Sequence, residues 1–127
     1  MGPHLADAFA HVLHDLEVCA APIPRIEESD WQTWPGAESA MLGDVDGSGT
    51  GVWVDTTASA AERLAMLADQ VQDWAVESVR RGTRSNWPPC PAHPANHPLQ
   101  AVVVDDAAVW RCPRSAEVVA EIGHLVV

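Results

Sequence analysis

The stretch Ser59-Ala-Ala-Glu-Arg-Leu-Ala-Met-Leu-Ala-Asp-Gln-Val-Gln-Asp-Trp-Ala-Val-Glu-Ser-Val-Arg-Arg-Gly82 carries both ends of a helix and one apolar face. Ser59 and Glu62 make a capping box, in which the serine accepts from an early helical N–H and the glutamate reaches back. Leu64, Leu67, Ala68, Val71, Trp74, Ala75 and Val79 recur at three- and four-residue steps, so the segment from Ala60 to about Arg81 should lay one stripe on a sheet. Gly82 stands where a left-handed C-terminal cap is wanted, and Arg80 and Arg81 suit the negative end of the dipole.

Strand signals lie on both sides of this helix. Upstream, Ser39–Val45 and Gly51–Asp55 flank a glycine-rich turn, and Val52-Trp53-Val54 has strand composition. Downstream, Leu99–Val104 and Ala108–Arg111 flank Asp105-Asp106-Ala107. Residues 4–18 form a second amphipathic helix through Leu5, Phe9, Val12, Leu13 and Leu16, stopped by Pro22 and Pro24. Residues 25–37, with Trp31, Trp34 and the Pro35-Gly36 turn, read as irregular. The apolar tail Glu117–Val127 reads as a third strand or a short helix, with strand favoured. The expected fold is α+β, with two helices and two β-hairpins in the order α-ββ-α-ββ and an optional C-terminal strand. Whether the hairpins share one sheet is left open.

Length and composition fit one domain, 1–127, with an acidic α/β-hairpin part at 1–82 and a cysteine-containing part at 83–127. The net charge of −11 is uneven. Residues 1–77 hold fourteen acids against Arg25 and Arg63, whereas Arg80, Arg81, Arg84, Arg111 and Arg114 cluster later beside only Asp105 and Asp106. The whole molecule should repel nucleic acid, and the later arginines either face the acidic part or form a local polyanion contact. The chain has no lysine and no tyrosine, which reads as the codon usage of GC-rich genomes such as those of actinobacteria and their phages. No signal peptide and no run near the roughly 20 apolar residues of a membrane span occurs. Three cysteines do not make a disulfide framework, so a reducing, cytoplasmic setting is expected.

Two of those cysteines and two histidines sit in Trp87-Pro-Pro-Cys90-Pro-Ala-His93-Pro-Ala-Asn-His97-Pro98 and in Cys112-Pro113. The spacing Cys90-x2-His93-x3-His97-x14-Cys112 sets thiolate and imidazole donors in two proline-braced corners around a hairpin. Such a set suits tetrahedral Zn²⁺. This segment resembles a zinc ribbon, in which two knuckles at the ends of a hairpin clasp one ion. The resemblance covers about the last forty residues and departs from the pattern at Ser115, which stands where a cysteine is expected. His97 is then the expected fourth ligand, with Glu117, His124 or a water as alternatives. The runs Trp87 to His93, His97 to Leu99, Trp110 to Pro113 and Ile122 to Leu125 also resemble small uncharacterised actinobacterial proteins, a resemblance that implies no activity.

Other patterns have ordinary structural explanations. Asp44, Asp46, Ser48, Gly49 and Asp55 resemble a calcium-binding EF-hand loop, but Gly, Asp and Ser in a hairpin turn explain the same residues. His4, Asp7, His11 and His14 share one helix face at chelating spacings, for which a solvated face is the ordinary explanation. Cys19 lacks a base to activate it. Trp53, Trp74 and Trp110 fit core positions, and Trp87 should brace the cysteine corner. Trp31 and Trp34 are candidates for a protein contact. The H-x-E with P-C-x-x-C pairing of nucleobase deaminases is missing, as are H-E-x-x-H and G-x-S-x-G. The reading is a non-enzymatic protein-binding or adaptor module with a structural zinc at Cys90, His93, His97 and Cys112. It would contact a protein partner or a second copy of itself and no membrane. Nucleic-acid binding through the five later arginines and zinc-dependent hydrolysis are the alternatives.

Overall fold

The computed structural model describes residues 1–33, 35–44, 47–77 and 86–126. Helix α1 spans Pro3–Val18, followed by β1 (Arg25–Glu28), β2 (Ala37–Gly43) and β3 (Gly49–Asp55). Helix α2 spans Ala60–Glu77, followed by β4 (Gln100–Val104), β5 (Ala107–Arg111) and β6 (Val118–Glu121). The fold is α+β, as expected, but the strands form two three-stranded antiparallel sheets, β1-β2-β3 and β4-β5-β6, and not two hairpins. The extra C-terminal strand is present as β6. The strand at Arg25–Glu28 corrects the irregular reading of 25–37: its one apolar residue, Ile26, gives almost no two-residue period, and its order comes from backbone pairing with Gly43 through Ala40.

α1 has no side chain of its own at the N-cap. The acceptor arrives from β2, where Glu38 Oε1 takes the Leu5 N–H at 2.9 Å while Oε2 bonds His4 Nδ1 at 2.7 Å. A carboxylate there also complements the positive end of the helix. Burial pushes the Glu38 carboxyl up, but these donors together hold it below its ordinary range. Leu5, Phe9, Val12 and Leu16 are buried as one stripe. At the start of α2, Ser59 Oγ accepts from the Glu62 N–H at 3.1 Å. Glu62 in turn takes the serine hydroxyl instead of its N–H, also at 3.1 Å. Gly82, Arg80 and Arg81 lie outside the described residues.

The core is one cluster drawn from both helices and both sheets. β2 and β3 point Ala40, Leu42, Val52 and Val54 inward, each fully enclosed. α2 packs on both sheets and on α1, so it is the element that joins them. Burying one such leucine or valine is worth about 1.5–3 kcal/mol, which is why α2's stripe can organise the rest. In the second sheet, Val104 pairs with Ala107, leaving Asp105 and Asp106 as a two-residue turn with φ of 50° and 61°. That double left-handed turn matches the twist of the strands, and aspartate tolerates it. Among the described residues no helix is long and apolar enough to cross a membrane.

Candidate metal centre

The first corner is held from three directions. The Leu99 N–H donates to the Pro88 carbonyl at 2.8 Å, and Pro89 bridges Pro98, so residues 88–99 form a loop closed at its base. Inside it, the His93 N–H meets the Cys90 carbonyl at 3.0 Å and the Asn96 N–H meets the His93 carbonyl at 3.1 Å. These tight turns bring Cys90, His93 and His97 round to one side. From α2, the buried Gln72 amide donates to the Trp87 and Leu99 carbonyls, one on each side of the loop, at 3.2 and 2.5 Å. From below, Trp87 packs edge-on against Trp110, with ring centroids 5.4 Å apart, and its Nε1–H reaches the Asp15 carbonyl at 3.3 Å. Trp87 does brace the corner.

The second corner follows β5. The Cys112 N–H donates to the Glu117 carbonyl and the Ala116 N–H to the Cys112 carbonyl, both at 2.9 Å, with Ala116 left-handed at φ 64°. The hairpin thus sets one corner before β4 and the other after β5, at its open end.

Cys90, His93, His97 and Cys112 converge there, with one donor atom from each lying within 4.8 Å of every other. His93 Nδ1 faces both sulfurs, 3.6 Å from Cys90 Sγ and 3.7 Å from Cys112 Sγ. A tetrahedral ion with M–S near 2.3 Å and M–N near 2.05 Å requires an N···S separation of roughly 3.6 Å, so the spacing is that of a coordination shell. His97 is the more telling partner. Its Nδ1 lies 3.1 Å from the Pro98 carbonyl, which can only accept, so that nitrogen carries the proton. Nε2 then presents a lone pair, and it is buried without a hydrogen-bond partner. A buried acceptor with nothing to accept is costly, and a metal ion would satisfy it. A backbone carbonyl behind a histidine is also the usual support of a ligating imidazole.

Cys112 is prepared for the same role. The Ser115 hydroxyl and backbone N–H, helped by the Arg114 N–H and Cys90, stabilise its thiolate against burial and hold its pKa down to about 6. Ser115 therefore stabilises the Cys112 thiolate through hydrogen bonds. Glu117 and His124, the alternative fourth ligands, are outside the group. His124 instead lines a cleft of about 260 Å³ with His4, Asp7, His11 and Glu121. In that cleft His4 is bonded to Glu38 and His11 to the Asp7 carbonyl. Among the described residues, only the Cys/His group gathers three or more metal donors.

The acidic stretch around Asp44 lies at a hairpin turn between β2 and β3, the ordinary explanation of its residues. β3 is extended from Gly49 to Asp55, which puts Asp55 about 20 Å from the turn at the strand's other end. Asp55 is occupied instead with the Thr57 N–H and hydroxyl, at 2.9 and 2.6 Å. Asp44 opens the turn, taking the Gly47 N–H at 3.1 Å on its carbonyl; Asp46 lies outside the described residues.

Trp31 lies flat over Gly51 and donates Nε1–H to the Ala40 and Val52 carbonyls at 3.0 and 3.2 Å. The residue as a whole stays 42% exposed. Trp34, Arg80, Arg81 and Arg84 lie outside the described residues. Arg114 is exposed, whereas Arg111 is half-buried, with Nη2 3.4 Å from Gln100 Oε1 and Nε enclosed without a partner. Cys19 is half-buried, and burial pushes its thiol up. The residues missed from sequence are Gln72, Asp15 and the supporting role of Ser115. Only Ser115 had a local signal, its two-residue offset from Pro113.

No protein-family model, curated protein or solved structure matches the chain.

Proposed function

We propose that Cys90, His93, His97 and Cys112 hold one structural Zn²⁺ and that the chain is a non-enzymatic protein-binding or adaptor module built on this clasp. The observation that carries the metal reading is the convergence of one donor atom from each of the four residues within 4.8 Å, together with a buried His97 Nε2 that has no hydrogen-bond partner. The soft S2N2 set favours zinc over hard cations. Four protein donors leave no position for a water, the form of a structural zinc and not of a hydrolase. In this reading the C-terminal hairpin is zinc-ribbon-like, with Ser115 substituting hydrogen bonds for a fourth sulfur.

The binding role rests on Trp31, a rigid aromatic held by two hydrogen bonds and still 42% exposed on an acidic half of the molecule. Exposed, pre-ordered aromatics are common anchors of protein interfaces. A net charge of −11 opposes nucleic-acid binding. Free thiols fit a reducing, cytoplasmic setting.

Native mass spectrometry of the wild type and of Cys112→Ser tests the clasp. The expected result is about one zinc per wild-type chain, lost in the variant together with thermal stability. A folded wild type that takes no zinc overturns the reading. Light scattering with wild type and Trp31→Ala tests self-association.

A further inference from the structure

The two thiols of the cluster stand close enough to react with each other. Their sulfurs lie within 4.8 Å, as do all the donor atoms of the group. A disulfide needs about 2.05 Å, so an approach of at most roughly 3 Å closes it. The cluster is also asymmetric. Cys90 and Cys112 are 1% and 2% exposed, whereas His93 and His97 are only half-buried and form its solvent side. Between His93 and His97 the loop carries an exposed bond from Asn86 Nδ2 to the Pro94 carbonyl at 3.3 Å. Cys112 is fixed by its turn to Glu117.

We propose that Cys90 and Cys112 form a metal-gated modification site, which a small peroxide converts to a disulfide as the zinc ion leaves. The gating rests on the zinc reading above. A bound zinc ion would share one lone pair of each sulfur and lower its nucleophilicity, so both thiolates would react slowly while it is held. Once it departs, one thiolate attacks a peroxide oxygen, breaking the O–O bond, expelling hydroxide and becoming a sulfenic acid. The other thiolate attacks that sulfur and expels a second hydroxide. Two thiolates and one hydrogen peroxide thus give one disulfide and two hydroxides. The two electrons lost by sulfur are taken up by the O–O bond, and Zn²⁺ leaves with its charge unchanged. Two imidazoles alone do not retain it. Cys19 stays outside this chemistry, since it is no member of the donor group.

The test treats full-length wild type and Cys19→Ser, each zinc-loaded and metal-free, with hydrogen peroxide. Intact mass, peptide mapping and a metallochromic zinc indicator are the readouts. The expected result is a Cys90–Cys112 link in both proteins, one zinc released per link, and severalfold slower oxidation of the zinc-loaded form. Sulfinic acid without a link, links through Cys19, or equal rates with and without zinc overturn the proposal. A zinc-loaded chain that never forms the disulfide overturns this proposal alone. A chain that takes no zinc overturns the gating and the zinc reading together.

Discussion

Trp110, in the middle of β5, donates its indole Nε1–H to Asp15 Oδ2 of α1 at 2.8 Å across ninety-five residues of sequence. The carboxylate is fully buried, and it also accepts from the Gly123 N–H at 2.7 Å and the Leu125 N–H at 3.1 Å. His14 Nδ1 stands 2.9 Å from Oδ1. A buried charge is tolerated when its lone pairs are filled, and here α1, β5 and the tail all supply donors.

Asp15→Ala leaves the Trp110 indole and two backbone N–H groups without a buried acceptor. The expected loss is about 3 kcal/mol or more, since each orphaned donor costs about 1–3 kcal/mol. Asp15→Asn keeps the shape but turns an NH2 toward a donor, and is expected to recover only part of that loss. Urea unfolding midpoints measure both, with the slope unchanged. A midpoint at the wild-type value for Asp15→Ala would remove Asp15 from the framework.

Ser115→Ala deprives the Cys112 thiolate of its principal donor. In the metal-free protein, thiolate absorbance near 240 nm is expected to titrate with a midpoint of about 6 for Cys112, moving upward in the variant. Because the folded value lies below the unfolded one of about 8.5, this thiolate stabilises the metal-free fold fully above that pH. The contribution fades as pH falls and is gone below about 6. Zinc affinity is expected to fall about 10-fold in Ser115→Ala, as for other residues that support a ligand. An unchanged titration would show that the serine plays no such part.

Gln72→Leu preserves bulk on α2 while removing both bonds that pin the ends of the metal loop. The expected cost is about 1–3 kcal/mol from two buried carbonyls left unpaired. A larger relative loss is expected in zinc affinity than in helix content, read by competition with a chelator and by far-UV circular dichroism. Equal zinc affinity in the variant would show that the loop holds its shape without α2.

Gly51→Ala collides with the Trp31 ring, whose atoms lie 2.7–3.0 Å from the added Cβ. The indole must lift, giving up its bonds to the Ala40 and Val52 carbonyls. A cost of about 1–3 kcal/mol is expected, as for other overpacked sites, with a shifted Trp31 indole N–H resonance. If Trp31 is the anchor for a partner, Gly51→Ala should weaken that contact without touching the metal group.

Residues that act on near neighbours were legible in the sequence. The Ser59–Glu62 box, α2's stripe and the turn between β4 and β5 all declare themselves within a few positions. The four donors of the metal group were legible for a chemical reason: few other roles place two thiols and two imidazoles in paired proline corners. Asp15 was not legible, because a lone acid on an apolar-faced helix looks solvated until its donors arrive from β5 and the tail. Gln72 failed the same way, as one polar residue inside a stripe. β1 was missed because an edge strand needs only backbone pairing, and Arg25–Glu28 carries a single inward-facing apolar side chain.

The Asp15 clasp has a bearing on the order in which the molecule is made. Synthesis delivers α1 before the second sheet, yet three of the donors to its buried carboxylate are Trp110, Gly123 and Leu125. While the ribosome is still adding the second sheet, that carboxylate must remain in water. The seat of α1 is therefore complete only once residues 110–125 are in place, and the contacts that close the fold join its first helix to the segment after β6. Closure of this fold should therefore be slow for its helix content.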